Sequence, residues 1–193
     1  NMDFMRVKAA NLQVVMFTSA NPGAGKTFVS SNLAMSIAQT NKKVVLIDVD
    51  IRKGTLSGIF SNSSNRMGLT HYLSGSTDKV DDIVGTSEEY EKLDVIFSGP
   101  VPPNPAELLL SERFDRLITE LRKRYDYIIV DNVPAGMVAD ASIVNRVADL
   151  TIFVVRSGVM DRRQLPELEN MYRQEQLRNM KIRKKGLHPE KGF

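Results

Sequence analysis

The 193 residues include no cysteine and no tryptophan. Without thiols the chain holds no disulfide, no thiolate metal site and no cysteine nucleophile, and it fits a reducing compartment. Aromatic residues are sparse, at 7%. No apolar run approaches the roughly 20 residues that span a bilayer, and no basic segment followed by an apolar stretch opens the chain. The sequence therefore reads as soluble and unexported. Histidine is scarce as well. His71 and His188 lie far apart without ligand-like neighbours, which assigns them to solvent or packing rather than to a metal. No internal repeat and no low-complexity segment is visible.

What is present is an ordinary globular composition, 42% hydrophobic and 25% charged, enough for one core and too little for two large ones. The net charge of +3 is unevenly placed. Arg178, Lys181, Arg183, Lys184, Lys185 and Lys191, against Glu190 alone, put +5 near the C-terminus, so the remainder carries −2. The pI near 9.1 thus belongs to a tail, and a basic tail is more often a solvated end than a nucleic-acid reader. No nucleic-acid partner is expected. The expected organisation is one domain over residues 1–180 and a basic tail over 181–193 that is peripheral to it or discontinuous with it.

Apolar, mostly β-branched runs at residues 12–19, 43–48, 94–97, 127–130 and 150–155 read as buried strands. Helical spacing separates them. Phe28, Val29, Leu33, Ile37 and Ala38 predict a helix over 26–40. Leu108, Leu109, Phe114, Leu117, Ile118 and Leu121 predict one continuous helix to about residue 124, with Pro105 in its first turn. A further helix is predicted over 140–148, with Ile143, Val144 and Val147 inward, and 161–180 is predicted as one surface helix or two short ones. Alternation of strand and helix predicts an α/β fold of P-loop NTPase type, a mostly parallel central sheet with helices on both faces. A doubly wound sheet would take another strand after the last of these helices, yet residues 181–193 contain no apolar run, so either the sheet is short or residues between the helix and the tail are absent from the chain as given.

Three strand ends carry the chemistry. Residues 20–27 (ANPGAGKT) follow the first strand and match G-x-x-x-x-G-K-[ST] except for Ala20 at the first glycine. Gly23 and Gly25 let backbone N–H groups approach phosphate oxygens, Lys26 can neutralise the β and γ phosphates, and Thr27 can place a hydroxyl on Mg²⁺. The helix that follows aims its positive end at the same anion. The plain alternative is a glycine-rich turn with a surface lysine. Asp131 ends the fourth strand, where P-loop proteins hold a carboxylate against the metal; a turn cap is the plainer reading. Asp48 and Asp50 end the second strand two residues apart, so in extended chain they share a face with Val49 turned away. Such a pair needs a cation, supplied by Mg²⁺, Lys26 or Arg52, and a carboxylate so placed can act as a general base. A surface loop closed by an Asp–Arg pair is the alternative.

With these residues in view, the chain resembles the catalytic domain of the bacterial tyrosine kinases of the capsule and exopolysaccharide family, over residues 1–179. The resemblance rests on PGAGKT as Walker A, VVLIDVDIR (44–52) as an acidic motif of form D-x-D-x-R, and YIIVDNVP (127–134) as Walker B, with GPVPPNPAELL (99–109) and VVRSG (154–158) in support. It departs at Asn132 and Val133, where the family has Thr and Pro. Partition and cell-division positioning ATPases share the fold but carry a lysine where this chain has Asn21.

The resemblance implies transfer of the γ-phosphoryl group of ATP, with Mg²⁺, to a tyrosine. The rival class is an ATP-hydrolysing switch that makes no phosphotyrosine. The implied catalytic residues are Lys26, Asp48 and Asp50, with Asp48 as base or hydroxyl orienter. The implied nucleotide-binding residues are Asn21, Pro22, Gly23, Ala24, Gly25, Lys26, Thr27, Phe28 and Arg156, the last near the base. Thr27, Asp48 and Asp131 would hold the metal. Arg52 is either an ion-pair partner within its loop or an acceptor contact. The implied partners are ATP, the tyrosine-rich tail of a neighbouring subunit in a homo-oligomeric ring, and a membrane polysaccharide co-polymerase or activator domain. The implied location is cytoplasmic, at the inner face of the bacterial membrane.

Overall fold

A computed structural model describes residues 12–60, 67–134, 140–173 and 181–185. In chain order the elements are β1 (Val14–Ser19), α1 (Lys26–Ala38), β2 (Val44–Asp48), α2 (Leu69–Leu73), β3 (Gly85–Thr86), β4 (Leu93–Ile96), α3 (Pro105–Leu110), α4 (Glu112–Arg124), β5 (Tyr127–Asp131), α5 (Asp140–Asn145), β6 (Leu150–Arg156), α6 (Leu165–Arg173) and β7 (Lys181–Lys185). The sheet runs β3-β4-β2-β5-β1-β6-β7, with β3 antiparallel to β4 and the other pairs parallel.

Every residue of β1, β2 and β5 is buried, as continuous apolar runs require when both faces of a parallel sheet are covered. The period of two sorts them cleanly. Met16, Ile47 and Val130 pack with Phe114, Leu117 and Leu121 of α4 on one face. Phe17, Leu46 and Ile129 pack with Ala34, Ile37 and Ala38 of α1 on the other. Tyr127 sits among the latter, 2% exposed. Register then levels the functional ends: Asp131 lies opposite Asp48 on one side and Phe17 on the other.

Two expectations are corrected. The helix expected to run unbroken to residue 124 is two helices that meet at Ser111, whose backbone is extended (ψ 151°). Its hydroxyl donates to the Leu108 carbonyl at 2.6 Å, an alternative to the helical ladder that ends α3. Arg146 then donates to the Leu109 carbonyl at 2.8 Å. The second correction concerns residues 181–185, which pair with the outer edge of β6 as β7 despite having no apolar run. Pairing uses backbone groups and is indifferent to side-chain type, and a lysine-rich strand is a common way to end a sheet. The rest of the expected tail, 186–193, lies outside the described residues, as do 174–180 of the expected surface helix. α2 and β3 are too short for periodicity to reveal. His71 Nδ1 accepts from the Gly68 amide at 3.0 Å, a local bond at the start of α2. His188 is outside the described residues.

Candidate active site

The loop after β1 turns on its glycines, Gly23 and Gly25, both at positive φ. Gly25 caps α1 at φ 89°, a left-handed conformation that a side chain disfavours, and Val29 N returns to its carbonyl at 3.0 Å. Lys26 is the first helical residue, so the N–H groups of the first turn and the lysine lie together. Ala24 is buried, 6% exposed, and anchors the loop from beneath. The loop is braced from the β6 side. Asn21 Nδ2 donates to Gln164 Oε1 at 2.9 Å, Gln164 Nε2 returns to Asn21 Oδ1 at 3.3 Å, and Arg156 donates to the Gly23 carbonyl at 3.2 Å.

Next to it, Thr27 Oγ1 donates to Asp131 Oδ2 at 2.6 Å. Thr55 completes the group, its hydroxyl 3.1 Å from that of Thr27 and 3.4 Å from Asp131 Oδ2. Asp131 is 1% exposed, and its Oδ1 has no hydrogen-bond partner among the described residues. Burial raises its pKa, against the opposing pull of the Thr27 hydrogen bond and the Lys26 charge. An orphaned, buried carboxylate oxygen beside a hydroxyl is the donor set of a hard divalent cation, so Thr27 and Asp131 fit Mg²⁺.

Asp48 has a different setting from the one expected. The chain leaves the extended state at once: Ile51 N bonds to Val49 O and Gly54 N to Asp50 O, both at 2.8 Å, while Val49 and Ile51 enter the core. Asp48 is therefore buried and wrapped in backbone. Its Oδ1 accepts from Asp50 N at 3.1 Å, and its Oδ2 from Thr55 N at 2.7 Å and Leu56 N at 3.0 Å. Burial raises its pKa to about 7, helped by the charges of Asp131 and Asp50 and opposed by the Leu56 and Thr55 amides. Asp50 faces the open cavity and Asp48 lies beneath the loop, so the two carboxylates do not share a face as extended chain would require. Gly54 makes the turn possible. Its φ is +63°, and a Cβ there would stand 2.5 Å from Ser98 Oγ.

The result is a cavity of about 500 Å³ whose lining includes Gly23, Gly25, Lys26, Thr27, Asp50, Arg52, Lys53 and Thr55, with Pro22, Phe28, Ile59, Val133 and Pro134 as its apolar part. Sequence reasoning missed Thr55 and Ile59. The signal for Thr55 was a hydroxyl three residues after the D-x-D-x-R motif; nothing in the pattern marked Ile59. Asn132 is buried, with Oδ1 accepting from the Val133 amide at 2.9 Å, so the departure from family pattern is absorbed locally.

An AAA domain family matches residues 12–182. The tyrosine-protein kinase CpsD of Streptococcus pneumoniae is 39% identical over 170 residues, spanning 88% of this chain and 74% of that protein. The chain belongs to the bacterial tyrosine-protein kinase family. The tyrosine-protein kinase YwqD of Bacillus subtilis strain 168 is 42% identical over 164 residues, 85% of this chain and 68% of that protein. Among solved structures, the kinase domain of the Escherichia coli tyrosine kinase ETK superposes with a TM-score of 0.84 at 33% identity, covering 100% of this chain and 76% of that one. The family's fold is the P-loop α/β sheet expected from the sequence. Among the described residues no helix is long and apolar enough to cross a membrane.

Proposed function

We propose that the chain is an ATP-dependent protein tyrosine kinase that transfers the γ-phosphoryl group of Mg-ATP to a tyrosine hydroxyl, in the control of capsule or exopolysaccharide synthesis and export. The observation that carries this is the convergence on one cavity of the phosphate loop, the Thr27–Asp131 pair and Asp50. Phosphoryl transfer asks little covalent chemistry of the protein and much positioning and charge stabilisation. The amides of residues 23–27 and Lys26 would bind the phosphate oxygens, and Ala24, Asn21 and Arg156 would hold that loop in shape. Thr27 and Asp131 would hold Mg²⁺, which would supply neutralisation of the phosphate charge. The acceptor phenol oxygen bonds to the γ phosphorus as the bond to the β–γ bridging oxygen breaks, releasing ADP.

The phenolic proton requires an acceptor in the cavity, and Asp50 is the carboxylate that lines it among the described residues. Asp48 then acts one layer below, fastening the loop that presents Asp50 and Thr55. The tyrosine-rich tail of a neighbouring subunit as acceptor, a ring assembly, and a membrane activator that places the enzyme at the inner face of the membrane belong to the same proposal, on the family resemblance.

The test is to incubate the protein with Mg-ATP and a tyrosine-rich acceptor, measuring phosphotyrosine and free phosphate together. Phosphotyrosine should form and should fall about 10²- to 10³-fold in Lys26→Met, the usual cost of one preorganised charge contact. Free phosphate without phosphotyrosine would assign the chain to the ATPase switches instead.

A further inference from the structure

Two large apolar side chains stand exposed at the same cavity. Phe28 is 57% exposed and Ile59 is 45% exposed, and both line the cavity with the apolar Val133 and Pro134 and the polar Lys26, Thr27 and Asp50. Apolar surface of this kind in solvent is a cost unless a ligand covers it. A triphosphate cannot be that ligand, because its oxygens need donors and cations. A phenol can, since its ring is apolar and its single hydroxyl must reach the carboxylate side.

The sheet order separates this apolar group from the opposite flank of the phosphate loop. Ile59 follows β2 and reaches the loop after β1 from the β5 side, whereas Arg156 and Gln164 brace that loop from the β6 side. Ile59 is also held firmly. It directly follows the helical turn Leu56–Gly58, whose first amide is bonded to Asp48. Lys53, on the same loop, lines the cavity together with Lys26 and Arg52, and Asp50 is the one carboxylate among the described residues there.

We propose that Phe28 and Ile59 are the specificity-determining wall that receives the ring of the acceptor tyrosine, with Lys53 favouring acidic residues beside it. This rests on the kinase reading above, and it gives Phe28 to the acceptor instead of to the nucleotide. An aromatic side chain reaches past the polar loop to the phosphate site while its ring stays on the apolar wall. Serine is too short to use that wall.

The experiment uses the full chain with Mg-ATP and a peptide carrying one tyrosine between glutamates, and reads peptide KM, kcat and nucleotide Kd for Ile59→Ser and Ile59→Leu. The expected result is a roughly tenfold rise in peptide KM for Ile59→Ser, nucleotide Kd within about twofold of the parent, and near-parent behaviour for Ile59→Leu. A second arm compares Lys53→Glu on that peptide and on one with the glutamates replaced by glutamine; the KM should rise for the acidic peptide alone. Unchanged peptide KM in Ile59→Ser overturns the inference, as does a parallel loss of nucleotide affinity, which would mean that the base covers the wall. An equal effect of Lys53→Glu on both peptides removes the acidic preference. A parent protein that makes no phosphotyrosine ends the kinase reading itself; an active parent indifferent to Ile59 ends only this inference.

Discussion

Replacing Asp48 by asparagine separates what its charge does from what its shape does. The carboxyl is 1% exposed and accepts from three backbone amides. Its pKa is raised from 3.8 to about 7, first by burial, with Asp131 and Asp50 adding repulsion. As pH rises, the unfolded chain releases this proton first, so between about pH 4 and pH 7 the native state holds more protons and stability falls. At about 1.4 kcal/mol per unit, a shift of that size withdraws up to about 4 kcal/mol by pH 8. Asp131, also raised by burial, acts in the same direction, while Lys26 opposes it.

Asparagine has no such proton, but one carbonyl oxygen cannot serve three amides. If it faces Thr55 and Leu56, its NH₂ meets the Asp50 N–H, and the lost hydrogen bond costs about 1–3 kcal/mol. Metal-free urea unfolding at about pH 5 and pH 8 measures both effects. Asp48→Asn should be less stable than the parent at the lower pH, equal or more stable at the higher, and clearly flatter between them. Parallel pH profiles in the two proteins would refute the assignment and place the titration on Asp131. Phosphotransfer should nevertheless fall by about 10²-fold, because the loop carrying Asp50 and Thr55 loses a fixed contact.

Thr55→Val keeps the backbone N–H on Asp48 but removes the hydroxyl beside Thr27 and Asp131, so phosphotransfer should drop about tenfold with a higher Mg²⁺ requirement. A magnesium titration checks it, and Thr55→Ser should restore the parent curve. Gly54→Ala forces a Cβ to 2.5 Å from Ser98 Oγ at a φ of +63°, which should cost about 1–3 kcal/mol in thermal unfolding. Adding Ser98→Ala should recover only the steric part, since the backbone strain remains.

The sequence by itself determined the sheet and the phosphate loop, because both are written in local pattern. Continuous β-branched runs with no polar interruption have to be buried on both faces, and a glycine pair followed by Lys26 and Thr27 between a strand and a helix has few other uses. Periodicity also placed Phe114, Leu117 and Leu121 on one buried stripe of α4, yet it ran the helix through Ser111, since a side-chain bond back to Leu108 leaves no trace in hydrophobic spacing. β7 was hidden for a related reason: an edge strand is selected by unpaired backbone on β6, not by apolar side chains. At the site, residue type named Asp48, Asp50 and Asp131 as partners, and the family resemblance put Asp48 first, as base and metal ligand. Only the turn that buries Val49 and Ile51 decided that Asp48 binds amides, that Asp50 faces the cavity, and that Thr55 and Ile59 arrive beside a loop that lies more than 25 residues earlier in the chain.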